Sequence, residues 1–330
     1  MRKNLLWLPV LLSFSPASAQ SFFASPMAHT YSIVARDPAT GDMGVAVQSH
    51  WFSVGSIVSW AEAGVGAIAT QSLVNPALGQ QGLALLKEGK TAQEALDELI
   101  AHDEGRDVRQ LAIVDSKGRT AAWTGKRCIP EAGHINGENF SCQANLMLNN
   151  TVWDAMATAF NSTKGPLAER MMAALEAAQS EGGDIRGKQS AAILVVRGAA
   201  TGNLWEDRVM DLRVEDHPEP LKELSRLIQV YRAYEHMNNG DLATEKNDMV
   251  TAMKEYEAAQ QLFPDNAEMK FWTAVTMVNN NLVKDALPVF KEVFATDANW
   301  AIVVPRLREV QLLVCTDETE KLIISQKKKK

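Results

Sequence analysis

Cysteine is scarce: Cys128, Cys142 and Cys315 are the only three in 330 residues, too few for a disulfide framework, so packing has to hold the fold. Cys128 and Cys142 have the option of pairing in an oxidising compartment, but sequence separation says nothing of distance in space. A zinc reading of Cys128, His134 and Cys142 lacks any C-x-x-C spacing and a fourth ligand, and buried free thiols are the simpler expectation. Long apolar runs are also lacking. Residues 5–14 form the longest, short of the roughly 20 needed to span a bilayer, so no integral membrane segment is expected after signal removal. Basic charge is in deficit, with a net charge of -7 and one lysine cluster at 327–330 that reads as a solvated tail. No nucleic-acid partner is expected from such a chain. The common catalytic signatures are missing too: G-x-S-x-G, H-E-x-x-H, the P-loop and a complete G-x-G-x-x-G, since Gly64-Val65-Gly66 has no third glycine in place.

What is present begins with an export signal. Arg2 and Lys3 precede the apolar stretch, and Ala17-Ser18-Ala19 is a small-residue cleavage site that leaves Gln20 first. The expected location is therefore exported, periplasmic or extracellular. The length exceeds the roughly 250 residues at which single cores stop growing, and two domains are expected. We divide the chain into a signal peptide at 1–19, a candidate propeptide at 20–29, an α/β domain at 30–215, a linker at 216–220, helical repeats at 221–315 and a charged tail at 316–330.

Within 30–215 the pattern predicts a hairpin of 31–36 with 43–48, turned at Asp37-Pro38-Ala39-Thr40-Gly41-Asp42, and a second strand pair at 54–60 and 65–70. Asn75-Pro76 opens a helix that Gly89 stops, and Thr91-Ala92-Gln93-Glu94 is a capping box for the next. A hairpin at 110–114 and 120–124, a strand at 140–148, helices at 152–160 and 166–180, and strands at 190–197 and 204–214 complete the domain. The strands are apolar on both faces. Their order with paired helices predicts an α+β fold in which two sheets stack between helices, a four-layer αββα sandwich.

Beyond Pro220 the composition turns helical and repeats itself. Ala252, Tyr256 and Ala259 recur 34 positions on as Ala286, Phe290 and Val293, and Gly240 recurs as Ala274. Period and residue types are similar to the tetratricopeptide pattern, with a generic helix bundle as the alternative. Stacked repeats offer a concave face to a protein or peptide partner.

Thr30 heads the first strand. A threonine that is the first residue of a chain can use its own α-amine, with a reference pKa of about 7.7–8.0, as the base that accepts its hydroxyl proton. The alternative is a strand-edge threonine with ordinary β propensity. Ser49 and His50 end the second strand on the same rim, where they can orient the amine or contact substrate. Gln71 and Asn75 flank a turn and are candidate amide donors to an oxyanion, or else a buried amide and a helix N-cap. Asp184 and Arg186 sit in a Gly-rich loop, as a structural ion pair or as a clamp for a substrate carboxylate.

The stretches Thr30 to Asp37, Gly44-Val45-Ala46-Val47-Gln48-Ser49, Gly66-Ala67-Ile68-Ala69-Thr70-Gln71, Arg109-Gln110, Thr124-Gly125, Gln143-Ala144-Asn145 and Gly183-Asp184-Ile185-Arg186-Gly187-Lys188-Gln189-Ser190, taken in order, resemble the bacterial and archaeal domain of unknown function 1028 family. That resemblance implies the N-terminal-nucleophile-hydrolase-like sandwich, amide-cleaving chemistry on a small amide or peptide with Thr30 as nucleophile, a role for Asn145, and no metal or organic cofactor. Family members typically carry methionine directly before the matching threonine. Here Gln20 to His29 still precede Thr30 after signal removal, so the chemistry requires a second cut between His29 and Thr30, in a segment expected to be flexible and exposed. The rival expectation is a non-catalytic scaffold that works through its repeats.

Overall fold

The computed structural model describes residues 27–327. The export signal, residues 20–26 of the candidate propeptide and residues 328–330 lie outside the described residues. The chain runs through β1 (Met27–Ala28), β2 (Thr30–Arg36), β3 (Met43–Ser49), α1 (Gly55–Val58), β4 (Ser59–Glu62), β5 (Gly66–Leu73), α2 (Ala77–Lys87), α3 (Ala92–His102), β6 (Arg109–Asp115) and β7 (Thr120–Thr124). It continues through β8 (Gly133–Gly137), β9 (Phe140–Ala144), α4 (Val152–Ser162), α5 (Leu167–Ser180), β10 (Ser190–Val196), α6 (Leu204–Asp207) and β11 (Arg208–Val214). The remainder is helical: α7 (Pro220–Glu245), α8 (Met249–Leu262), α9 (Ala267–Asn279), α10 (Val283–Thr296), α11 (Trp300–Glu309) and α12 (Asp317–Ile324).

Two antiparallel sheets form. One has the order β1-β5-β6-β7, with β4 also paired to β5; the other has the order β11-β10-β3-β2-β9-β8. Alternation along each strand sends successive side chains to opposite faces, so each sheet contributes to two cores. Val34, Val45, Val47, Ala67, Ala69, Ala112 and Leu194 fill the space between the sheets. Ile68, Leu111 and Ile113 face the other way, onto Leu78, Leu96 and Leu99 of α2 and α3. On the far side Tyr31, Ile33, Cys142 and Ile193 meet Met156, Phe160, Met171 and Leu175 of α4 and α5. The expected helix, sheet, sheet, helix layering is therefore present. Each such Leu, Ile or Phe side chain withdrawn from water contributes about 1.5–3 kcal/mol. Local signals act as read: Thr91 Oγ1 accepts the Glu94 N–H while Glu94 returns a bond to the Thr91 N–H, closing the capping box.

Three expected strands are corrected. Residues 54–60 begin as α1, because a side chain at Gly55 would place its Cβ 2.4 Å from the Ala192 Cβ, and the Val54 N–H is diverted to Ser190 Oγ at 3.1 Å. Residues 204–214 begin as α6, where the Asp207 carboxylate accepts from both the backbone and the hydroxyl of Thr201. The strand expected at 140–148 stops at Ala144, since Leu146 adopts φ +59° and turns the chain. Its edge partner β8 shows no apolar alternation, and the pattern gave no sign of it.

Leu221, Leu224 and Ile228 of α7 lie in the same core as α4 and α5, and Arg232 pairs with Glu169 of α5 at 2.8 Å. Packing thus changes hands inside α7 and not at residues 216–220. From Ala233 onward α7 packs on α8. Met249 and Val283 start helices of equal length 34 positions apart, and Ala252, Tyr256 and Ala259 are buried just as Ala286, Phe290 and Val293 are. Gly240 sits where an added Cβ would come within 2.4 Å of the Tyr256 ring, so the crossing there needs a residue without a side chain. No helix among the described residues is long and apolar enough to cross a membrane. All three cysteines are free; Cys142 lies in the α4/α5 core, while the Cys128 thiol donates to the Arg109 carbonyl. Among the described residues no group of three or more His, Cys, Asp or Glu side chains is placed to hold a metal ion.

Candidate active site

The layer between the sheets changes character along its length. At one end it is valine and alanine; at the other the same phase of the alternation carries Thr30 and Ser32 on β2, Ser49 on β3, Gln71 on β5, Gln110 on β6 and Gln143 on β9, all fully or almost fully buried. Antiparallel pairing gathers these strand ends: Thr30 is opposite Ser49, and Gln71 is opposite Gln110.

A burial of amides on this scale requires partners, and they form a connected chain. Gln110 Nε2 donates to the carbonyls of Ala144 at 2.9 Å and Gly133 at 3.2 Å. Carbonyls only accept, so this end of the Gln110 amide is fixed as nitrogen. Its Oε1 then accepts from Gln71 Nε2 at 2.7 Å and Asn145 Nδ2 at 2.8 Å. Gln71 Nε2 also donates to the Thr30 carbonyl at 3.1 Å, and Gln71 Oε1 accepts from Ser32 Oγ at 2.7 Å. Asn145 adds its backbone N–H to the Thr30 carbonyl at 3.1 Å and turns its Oδ1 to His29 Nδ1 at 2.8 Å.

The peptide joining His29 to Thr30 lies at the head of this chain. The carbonyl oxygen of His29 accepts from Ser49 Oγ at 2.6 Å and from Arg186 Nη2 at 2.8 Å. Arg186 is held by Asp184 through Nε at 3.0 Å and Nη2 at 2.7 Å, a charge-assisted pair whose carboxylate is buried. Asp184 further accepts the His50 N–H at 3.2 Å. Thr30 Oγ1 donates to the Ala28 carbonyl at 2.7 Å. Residues 27–28 pair with Ser72 and Leu73 as β1, and both Ala28 and His29 are buried, so the end of the candidate propeptide is not exposed as expected. Burial lowers the His29 pKa below its ordinary value, against the hydrogen bond to Asn145, and so favours the neutral ring. Burial also raises the Tyr31 hydroxyl well above its ordinary range.

Of the residues singled out from sequence, Thr30, Ser49, Gln71, Asn145, Asp184 and Arg186 gather around His29 and Thr30, with Ser49 and Arg186 on the His29 carbonyl and Gln71 and Asn145 on that of Thr30. His50 contributes its backbone only, its ring facing Gln189 Oε1 at 3.4 Å. Asn75 is not part of the constellation: its Oδ1 accepts the Ala77 N–H at 3.3 Å at the start of α2, and it lines a separate hollow with Leu78, Glu98 and His102. His29, Ser32, Gln110 and Gln143 were missed as site residues. A signal was available for Gln110, which interrupts the inward phase that continues as Ala112 and Val114 on an otherwise apolar strand.

Residues 30–224 match the family of unknown function DUF1028. The chain belongs to that family. The matched span starts at Thr30 and ends in the first turns of α7, short of the last contacts of that helix with the sandwich at Tyr231 and Arg232. A crystal structure of the DUF1028 protein SPO2555 from Silicibacter pomeroyi is 30% identical with a TM-score of 0.55, over 61% of this chain and 88% of that one. Anbu, the ancestral beta-subunit from Yersinia bercovieri, is 13% identical with a TM-score of 0.30 over 59% of this chain and 91% of its own, a likeness too slight to carry weight. Among curated proteins none matches the chain.

Proposed function

We propose that this protein is an exported amidohydrolase or peptidase-like enzyme of the N-terminal-nucleophile type, which cleaves a carbon–nitrogen amide bond with Thr30 after a cut between His29 and Thr30. The observation that carries the reading is the His29 carbonyl, which accepts one hydroxyl and one guanidinium hydrogen bond while the next residue supplies a buried hydroxyl. Donors aimed at a carbonyl oxygen stabilise the charge that grows there when the carbon is attacked.

In the first step Thr30 Oγ1 bonds to the His29 carbonyl carbon, the His29–Thr30 C–N bond breaks, and the hydroxyl proton ends on the Thr30 nitrogen. Water then hydrolyses the ester, giving a His29 carboxylate and restoring the Thr30 hydroxyl. The freed amine becomes the base for substrates: it takes the hydroxyl proton as Oγ1 attacks and passes it to the leaving amine, and a second water releases the acyl group. Asp184 holds Arg186, and the Gln71–Gln110–Asn145 chain holds the Thr30 carbonyl, so the residues that act do not have to reorganise.

The test is the mass of the intact protein from an exporting host. We expect a chain beginning at Thr30, and Thr30→Ala should keep the preceding residues. A stable, folded wild-type chain that uniformly retains them removes the threonine mechanism. A second reading, a scaffold whose tetratricopeptide-like helices take a protein or peptide partner, is favoured by the 34-residue correspondence of α8 and α10. It takes the lead if Thr30 stays internal and residues 221–315 prove necessary for holding a specific partner.

A further inference from the structure

We propose that residues 27–29 occupy the acyl side of the substrate site, and that the mature enzyme takes an extended peptide whose residue next to the cleaved bond offers a neutral side-chain donor to Asn145. The inference rests on the Thr30 reading above and names the substrate class of that site.

The segment before Thr30 is seated as a ligand strand is seated. Met27 lies opposite Leu73 and Ala28 opposite Ser72, antiparallel, on the edge of β5 that β4 leaves uncovered beyond Ala69. Removal of the segment exposes that edge, and an extended peptide can restore the pairing through backbone groups alone, which makes the edge tolerant of sequence. Ser72 stands at φ +73°, a conformation rare for residues other than glycine and concentrated at functional sites.

Selectivity enters at the position held by His29. The orientation of Asn145 follows from a fixed origin: the carbonyls of Ala144 and Gly133 set the Gln110 amide, whose Oε1 draws the Asn145 Nδ2. Asn145 Oδ1 is left facing the side chain at residue 29, and it can only accept. In the uncut chain the His29 Nδ1–H fills it. After the cut, a His, Asn or Gln side chain satisfies the same oxygen. A carboxylate would set two acceptors against each other in a buried place, and an aliphatic side chain would leave Asn145 Oδ1 without a partner. Sites built around a buried hydrogen bond discriminate strongly against analogues that lack it. Ser49 Oγ and Arg186 Nη2 then face the substrate's scissile carbonyl as they face that of His29.

The experiment uses the processed wild-type protein, its start at Thr30 verified by intact mass, and fluorogenic amides of acetyl-Met-Ala-X with X as His, Asn, Asp or Leu. We expect kcat/KM for Asn to exceed that for its isostere Asp by roughly 100-fold and for His to exceed Leu by at least about 10-fold. Asn145→Ala should bring His and Leu within about three-fold, flattened by loss of the acceptor. Comparable turnover of Asn and Asp, or of His and Leu, by processed protein overturns the subsite while leaving the Thr30 chemistry standing. If processed protein turns over none of them, binding of the acids acetyl-Met-Ala-Asn and acetyl-Met-Ala-Asp by calorimetry decides: preference for Asn supports the subsite and no preference overturns it. A chain found uncut by mass overturns both readings together.

Discussion

The interior of the sandwich near Thr30 and the interior of the helices after Ala233 solve burial in opposite ways. Between the sheets, Thr30, Ser32, Ser49, Gln71, Gln110, Gln143 and Asn145 are all withdrawn from water, whereas the buried positions of α8 to α10 are alanines, aromatics, valines and methionines with Thr273 and Thr276 as the polar exceptions. A buried amide is stable only with its partners in place, so an apolar filling would serve folding as well or better. A connected polar cluster at one end of one layer departs from the apolar filling of the rest, and under our proposal it holds backbone and side chains for chemistry. The helical interior is set mainly by shape, its Tyr256 hydroxyl reaching Asp241 at 2.7 Å. Gly240 against Tyr256 and the small Ala252 and Ala286 serve close approach.

Gln110→Leu is the largest test of that contrast. It strips partners from Gln71, Asn145 and the Ala144 and Gly133 carbonyls at once, and about 3–4 kcal/mol of stability should be lost in urea unfolding. A loss under about 1 kcal/mol would mean that the cluster is not held as a unit. Ala286→Leu probes the other interior. There an added side chain overpacks the crossing and should cost about 1–3 kcal/mol, read as a lower melting temperature of the full chain. If both Ala286→Leu and Ala252→Leu are neutral, the 34-residue register is wrong. The smallest effect is that of pH. Burial depresses the His29 and His134 pKa values in the folded state, so the stability tied to their neutral rings is complete above the unfolded value of about 6.5. It is lost as pH falls through the folded values. His29→Gln in a Thr30→Ala background should therefore lose less melting temperature between neutral and mildly acidic buffer than Thr30→Ala alone. An equal loss would take His29 out of the account.

The sequence by itself determined the strand runs, the capped helices, the 34-residue periodicity and the rim that carries Thr30 and Ser49, because apolar periodicity and capping act over a few residues and leave marks at fixed spacings. Ser56 in α1 and the end of β9 at Ala144 were not legible, since the close approach of Gly55 to Ala192 and the left-handed turn at Leu146 depend on chain segments distant in sequence. The same holds for the site. Gln71, Gln110 and Asn145 were visible as polar residues, but an amide looks alike whether it caps a turn or completes a network. Asn75 and Asn145 could be told apart only once one was found against Ala77 and the other against His29. Tertiary structure alone decided that Ala28 and His29 are buried, that the His29 carbonyl meets Ser49 and Arg186, and which way each amide points. Hydrogen bonds are directional and short, and the partners here, from Ser49 to Arg186 and from Gln71 to Asn145, are brought within reach by sheet pairing and stacking, which spacing along the chain does not encode.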